Sequence, residues 1–259
     1  MSFKANTTGS QIESYSNHAP LLCIAHRGGP QMGPTPLPEN SLAAIKRALT
    51  LDVYAIEIDV FQVEGELFVT HDRRLGRVTS GEGIITEQPL SYLREQQLPN
   101  GEPIPTLQQV LQLVGDKTLL NIEIKGQQTL GALKRILEEY ISSAQGSYDQ
   151  YIISSFDHQQ LYQCLEQLPH IRRGVLIEGI PLDYAACCDA LKAYSFNTHL
   201  SFVTRDLIMD AKKRCLKNWV YTANQQDDWQ YLQSLGVDAV FTDKPDELLR
   251  FNEQFISTR

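Results

Sequence analysis

Two short segments alternate carboxylates with aliphatic residues. In Tyr54-Ala-Ile-Glu-Ile-Asp-Val-Phe61 a strand's two-residue period puts Ile56, Ile58 and Val60 on one face and Glu57 and Asp59 on the other. Asn121-Ile-Glu-Ile-Lys125 repeats the pattern, with Asn121, Glu123 and Lys125 opposite Ile122 and Ile124. If the apolar faces meet helices, the polar faces point into a confined interior. Glu57, Asp59 and Glu123 bring negative charge there, and Lys125 returns part of it. Such an excess is costly unless carboxylates protonate or a cation binds. The ligands on offer are hard oxygens, which select Mg²⁺ or Ca²⁺ over zinc or copper. The alternative is a set of buried salt bridges with Arg27, Lys125 or Arg172.

Two histidines follow apolar runs, His26 in Ala-His-Arg-Gly and His71 in Thr-His-Asp. A histidine pair beside a divalent cation suits phosphodiester cleavage: one ring takes the nucleophile's proton and the other protonates the leaving oxygen. Arg27 and the cation would neutralise phosphoryl charge. Gly28 and Gly29 would let backbone approach an anion. His158 and His170 are expected to be solvated, His18 lies in the leader, and His199 ends a strand that could reach a site mouth. There is no G-x-S-x-G elbow and no G-x-x-x-x-G-K-[ST] loop, and Gly81-Glu-Gly83 does not sit at a strand-to-helix turn.

The elements that must position these residues alternate along the chain. Strands are predicted at Leu21–Ala25, Tyr54–Phe61, Thr118–Lys125, Tyr151–Ser154, Arg172–Glu178, Ser195–His199, Trp219–Thr222 and Ala239–Thr242. Helices are predicted at Asn40–Leu51 with Asn40 or Ser41 as cap, Thr106–Val114, Leu130–Ile141, after Asp157, through Cys188, Thr204–Cys215, Gln226–Leu235 ending at Gly236, and after Pro245. Eight strand-then-helix units in about 240 residues favour a (β/α)8 TIM barrel over a doubly wound open sheet. The connection from Phe61 to Thr106 is long and includes a further short strand at Leu67–Thr70. It is predicted to be a small insertion after the second strand, at about 66–105, on the face where barrel active sites are built.

Composition narrows the classes. The chain has 259 residues, a net charge of −8, 42% hydrophobic and 21% charged residues, which is ordinary for a globular protein. The negative balance argues against a nucleic-acid partner. No apolar run reaches the ~18 residues of a membrane span, so stable membrane insertion is not expected. The polar residues 1–20 lack a signal-peptide core and are predicted to be a flexible leader to one domain, residues 21–259. Five irregularly spaced cysteines, Cys187 and Cys188 adjacent, suggest a reducing cytoplasm.

The ordered set His26-Arg27-Gly28, Pro38-Glu39-Asn40-Ser41, Glu57-Ile-Asp59, His71-Asp72, Gly81 with Gly83, Pro105-Thr106-Leu107, Glu123-Ile-Lys125, Ser155-Phe156-Asp157, Thr222 with Asn224, Gly236-Val-Asp238 and Thr242-Asp243-Lys-Pro245 resembles the glycerophosphodiester phosphodiesterase family. The resemblance runs from Leu21 to Leu249. It implies a TIM barrel that hydrolyses glycerophosphodiesters, such as glycerophosphocholine or glycerophosphoethanolamine, to sn-glycerol 3-phosphate and an alcohol, in glycerol and phospholipid metabolism. It implies His26 and His71 as the acid–base pair, and Glu57, Asp59 and Glu123 as metal ligands. Arg27 and Lys125 would contact phosphate, Glu39 would brace the first-strand loop, and Asn40 would cap the first helix. Ser41 stands where the family has Thr, and Tyr221-Thr-Ala-Asn224 where it has Trp-Thr-Val-Asn, so Tyr221 would line the alcohol site with an aromatic wall and a polar tip. The loop Gly29–Leu37 is longer and richer in Pro than is usual. Competing expectations are a lysophospholipase D-type enzyme, which would need an apolar channel or membrane-docking surface, and a non-catalytic glycerophosphodiester-binding protein.

Overall fold

A computed structural model describes residues 19–143 and 146–257, so the expected leader lies almost wholly outside the described residues. The strands are β1 (Leu22–Ala25), β2 (Ala55–Val63), β3 (Glu66–Val69), β4 (Leu119–Ile124), β5 (Tyr151–Ser155), β6 (Arg172–Ile177), β7 (Ser195–His199), β8 (Lys217–Tyr221) and β9 (Ala239–Thr242). All but β3 pair in parallel, and β1 bonds both β2 and β9, which closes the ring. The fold is the expected (β/α)8 barrel. The helices are α1 (Leu42–Ala48), α2 (Leu90–Glu95), α3 (Leu107–Val114), α4 (Thr129–Ser142), α5 (His158–Gln167), α6 (Cys187–Leu191), α7 (Arg205–Lys213), α8 (Gln226–Leu235) and α9 (Pro245–Ser257).

Hydrophobic periodicity explains the layers. Ile56, Ile58 and Val60 from β2, with Ile122 and Ile124 from β4, join a continuous core with the helix faces. Helix α3 shows the matching pattern. Leu107, Val110, Leu111 and Val114 are buried, and Thr106 and Gln109 form a reciprocal capping box at its start. Each such aliphatic burial stabilises by about 1.5–3 kcal/mol. Inside the barrel, Trp219 is fully buried and meets Tyr54, Tyr194 and Phe241 edge-on, forming a floor. Interior space above it is tight: a Cβ on Gly174 would lie 2.9 Å from Asn197 Nδ2.

Helices α1 and α6 depart furthest from their predicted spans, and α7 stops at Lys213 rather than Cys215. Ser41, rather than Asn40, caps α1 by accepting from Ala44 N–H at 3.0 Å, and the helix ends at Ala48. The stretch before α6 is turns: Gly179 sits at φ 135°, Pro181 disfavours helical geometry at Ile180, and Tyr184 at φ 52° interrupts any helix that starts at Pro181. The insertion begins as β3, which folds back antiparallel on β2, and returns where Val69 N–H donates to Pro105 O at 2.7 Å. It has a small core of its own, in which Leu75, Ile85, Leu93 and Ile104 pack on Phe61, Val63 and Phe68.

Candidate active site

Strand register builds the acidic centre. Glu57 pairs with Asn121 and Asp59 with Glu123 across β2 and β4, so all four side chains share the interior face. Glu57, Asp59 and Glu123 are buried, and each offers a ligand oxygen within 4.8 Å of the others. Burial drives the Glu57 carboxyl well above its usual range, and the charges of Asp59 and Glu123 add to the shift. Burial and Asp59 likewise push Glu123 up to about 7. Burial also opposes ionisation of Asp59, but Lys125 and Arg27 outweigh it and hold the carboxyl below its usual range. Lys125 Nζ lies 2.6 Å from Glu123 and 3.4 Å from Asp59, and Arg27 Nε lies 3.6 Å from Asp59.

This arrangement mixes the two sequence expectations. Salt bridges do form with Arg27 and Lys125, yet they leave three carboxylates facing two cations. Glu57 Oε1 is buried with no hydrogen-bond partner among the described residues, while Oε2 accepts from Arg27 N–H at 2.8 Å. A buried carboxylate oxygen beside two others is a donor set that a hard divalent cation fits. Arg172 takes no part: it lies over the Tyr194 ring at 5.0 Å, at the opposite end of β6.

A cavity of about 400 Å³ opens at the C-terminal ends of the strands. Its lining includes His26, Arg27, Glu57, His71, Glu123, Lys125 and Tyr221. Asp59 lies behind this wall. Each of the two histidines has its own carboxylate. His26 Nδ1 is 2.7 Å from Asp243 Oδ1, and His71 Nδ1 is 2.8 Å from Asp72 Oδ1. Burial opposes ionisation of Asp243, but bonds from His26 and Asn224 keep its pKa below the usual range. The Arg77 guanidinium holds Asp72 down at about 2. Both acceptors are therefore ionised, each Nδ1 carries the proton, and each Nε2 is left as the ring's second nitrogen. Burial lowers the His71 pKa, with Lys125 and Arg27 acting in the same direction.

Several supporting residues differ from expectation. Asn40 does not cap α1. It stands at φ 61°, donates Nδ2–H to Asp59 Oδ2 at 2.9 Å and accepts from Asp59 N–H at 3.2 Å, orienting a candidate ligand. Glu39 braces the loop by accepting from Arg27 Nη1 at 3.0 Å. Gly28 and Gly29 pack on the protein itself. A Cβ would lie 3.0 Å from Ile45 N at Gly28 and 2.6 Å from Pro245 Cγ at Gly29, a closeness that seats the His26 loop beside Asp243. Tyr221 lines the cavity, but its hydroxyl donates to Ile177 O at 2.9 Å, so the ring rather than the polar tip faces the space. His158 is not simply solvated, since Nε2 lies 3.0 Å from Leu176 O.

The roles of Asp243, Asp72 and Arg77 are not visible in the sequence. The available signal for Asp243 was its place just past the last strand, on the barrel face that builds sites. His199, Phe156 and Glu178 also line the cavity. His199 and Phe156 each meet Tyr221 edge-on, at 5.5 and 5.9 Å. The whole arrangement can hold a cation, neutralise an anion and exchange protons at two imidazoles.

Comparison with known proteins gives a consistent answer. The profile of the Glycerophosphoryl diester phosphodiesterase family matches residues 26–247. A glycerophosphodiester phosphodiesterase of Caldanaerobacter subterraneus subsp. tengcongensis is 33% identical over 240 residues, covering 88% of this chain and 96% of that protein. A phosphodiesterase of Oleispira antarctica, solved in complex with its product sn-glycerol-3-phosphate, superimposes with a TM-score of 0.81 at 27% identity, covering 91% of this chain and 97% of that one. A glycerophosphodiester phosphodiesterase of Parabacteroides distasonis shares the fold, with a TM-score of 0.78 at 22% identity and coverage of 92% and 99%.

Proposed function

The chain belongs to the glycerophosphoryl diester phosphodiesterase family, and from that premise we propose how its barrel mouth works. The protein is a glycerophosphodiester phosphodiesterase, hydrolysing a glycerophosphodiester to sn-glycerol 3-phosphate and an alcohol. In our reading His26 and His71 exchange protons through Nε2, one as base and the other as acid. The observation that carries this assignment is that both rings face one cavity, each fixed through Nδ1 by an ionised carboxylate. Glu57, Asp59 and Glu123 would hold Mg²⁺ or Ca²⁺, a reading supported by their shared spacing and by the unpartnered Glu57 oxygen. When bound, such an ion supplies Lewis-acid charge to the phosphoryl group. Arg27 and Lys125 face the cavity as cations and would bind phosphate oxygens. Tyr221 would flank the substrate with its ring.

The catalytic unit is taken as one domain over 21–259, with the insertion at about 66–105 forming one side of the mouth. A cytoplasmic location is supported by five cysteines that are free in the structure. Among the described residues, no helix is long and apolar enough to cross a membrane. One observation favours lysophospholipids as further substrates: Phe156, Ile180 and Leu182, on loops beyond β5 and β6, are exposed at 44%, 49% and 103%. Lysophosphatidylcholine turnover tests that reading.

The primary test measures glycerol 3-phosphate release from glycerophosphoethanolamine with Mg²⁺, Ca²⁺ or EDTA. Wild type is compared with His26→Ala and Glu57→Ala. Metal-dependent release abolished by both substitutions is expected. Release that survives either one would remove that residue from the mechanism.

A further inference from the structure

One basic side chain joins both halves of the site, and neither the motifs nor the cavity lining contains it. Arg77 lies in the insertion, beyond β3. Its guanidinium donates to Asp72 through Nε at 2.5 Å and Nη2 at 2.9 Å. The same group donates to Glu39 through Nη1 at 3.1 Å and Nη2 at 2.6 Å. Asp72 holds the His71 ring, and Glu39 holds the Arg27 guanidinium. We infer that Arg77 is a positioning residue, a single planar fork that sets the His71 imidazole and the Arg27 side chain relative to each other. The inference rests on the roles proposed above for His71 and Arg27.

Three physical points favour positioning over a generic surface ion pair. Arg77 makes two-point contacts with both carboxylates, which fixes their planes as well as their distance. Glu39, His71 and Asp72 place ligand atoms within 4.8 Å of one another, a spacing that suits a cation, and Arg77 supplies the positive charge there. The insertion has an anchor apart from Arg77, because Leu75, Ile85, Leu93 and Ile104 pack on Phe61 and Phe68. Arg77 is half-exposed, so its ion pairs orient the two carboxylates and add little to stability.

The test uses the full chain as Arg77→Gln, Asp72→Asn and the double variant. Arg94→Gln is the control, since Arg94 makes an exposed pair with Glu66 elsewhere in the insertion. With glycerophosphoethanolamine, Arg77→Gln is expected to lower kcat about 10- to 100-fold, with KM changed by less than about threefold. The thermal midpoint should move by less than about 2 °C. The double variant should be no slower than the worse single variant, because both break one chain of contacts. Ring-nitrogen NMR gives a readout independent of turnover. His71 in wild type should show the Nδ1–H tautomer, and Arg77→Gln should show a mixture while Arg94→Gln does not. Unchanged kcat with an unchanged His71 spectrum overturns the inference. So does a loss of activity that tracks a loss of thermal stability, or one shared by Arg94→Gln. If wild type releases no glycerol 3-phosphate, the proposed roles fall, and the His71 spectra alone decide whether Arg77 positions the ring.

Discussion

Replacing Asp243 with Asn should disable His26 without moving it. The Asn224 side chain is oriented by its surroundings: its Oδ1 accepts from Thr242 Oγ1–H at 2.9 Å and from Asp243 N–H at 2.8 Å. Its Nδ2 must therefore donate, and it does so to Asp243 Oδ2 at 2.7 Å. In Asp243→Asn the new amide has to turn its oxygen toward Asn224 and its NH2 toward His26. His26 Nδ1 would then accept, and the ring proton would move to Nε2. With His26 as the base of the pair, the nitrogen facing the substrate would carry a proton where a lone pair is required. Losing general acid–base catalysis, or holding a histidine in the wrong tautomer, costs about 10²–10⁴ in rate, or about 3–5.5 kcal/mol in barrier. Substrate affinity should change little, because the charges of Arg27 and Lys125 remain. Steady-state release of glycerol 3-phosphate measures kcat and KM, and ring-nitrogen NMR reports the tautomer. A variant that keeps kcat within about threefold of wild type, with His26 shown protonated at Nε2, would refute the reasoning.

Other outcomes follow from the same geometry. Glu123 has a folded pKa of about 7, raised by burial and Asp59, so its charge destabilises the metal-free fold; that penalty is absent below the unfolded value near 4.5 and complete above about 7. In EDTA, wild type should lose more stability than Glu123→Gln between those limits, measured by denaturant unfolding at each pH. Adding Mg²⁺ or Ca²⁺ at pH above 7 should raise the thermal midpoint of wild type, and Glu57→Gln should abolish most of that rise, as read by calorimetry. Asn40→Ala removes both bonds to Asp59 and places alanine at φ 61°, so it should destabilise by about 2 kcal/mol and weaken metal affinity about 10- to 100-fold, by titration calorimetry. Tyr221→Phe should keep kcat/KM within about twofold, because the hydroxyl is turned to the Ile177 carbonyl, whereas Tyr221→Ala should raise KM by removing the ring wall.

By itself the sequence determined what depends on local period. Alternation put Glu57 and Asp59 on one face of β2 and Glu123 and Lys125 on one face of β4, and the strand-then-helix rhythm implied the barrel. Those readings hold because side-chain direction along a strand follows from the backbone, whatever lies opposite. Tertiary structure decided the partners. His26 meets Asp243 across 217 positions only because β1 pairs with β9 when the barrel closes. Asn40 looks like a helix cap in the chain, yet the left-handed turn at that residue swings its amide onto Asp59 and leaves capping to Ser41. Gly28 and Gly29 read as an anion-binding pair but serve close packing on α1 and Pro245. In the sequence Arg172 opens a predicted strand and Arg77 lies in the long insertion, and neither position names a partner. Only the fold sends Arg172 to the far end of the barrel and brings Arg77, on an insertion with its own small core, back to the mouth. Hydrogen-bond choice among many donors depends on which surfaces meet, and that is fixed by ring closure and by how the insertion docks.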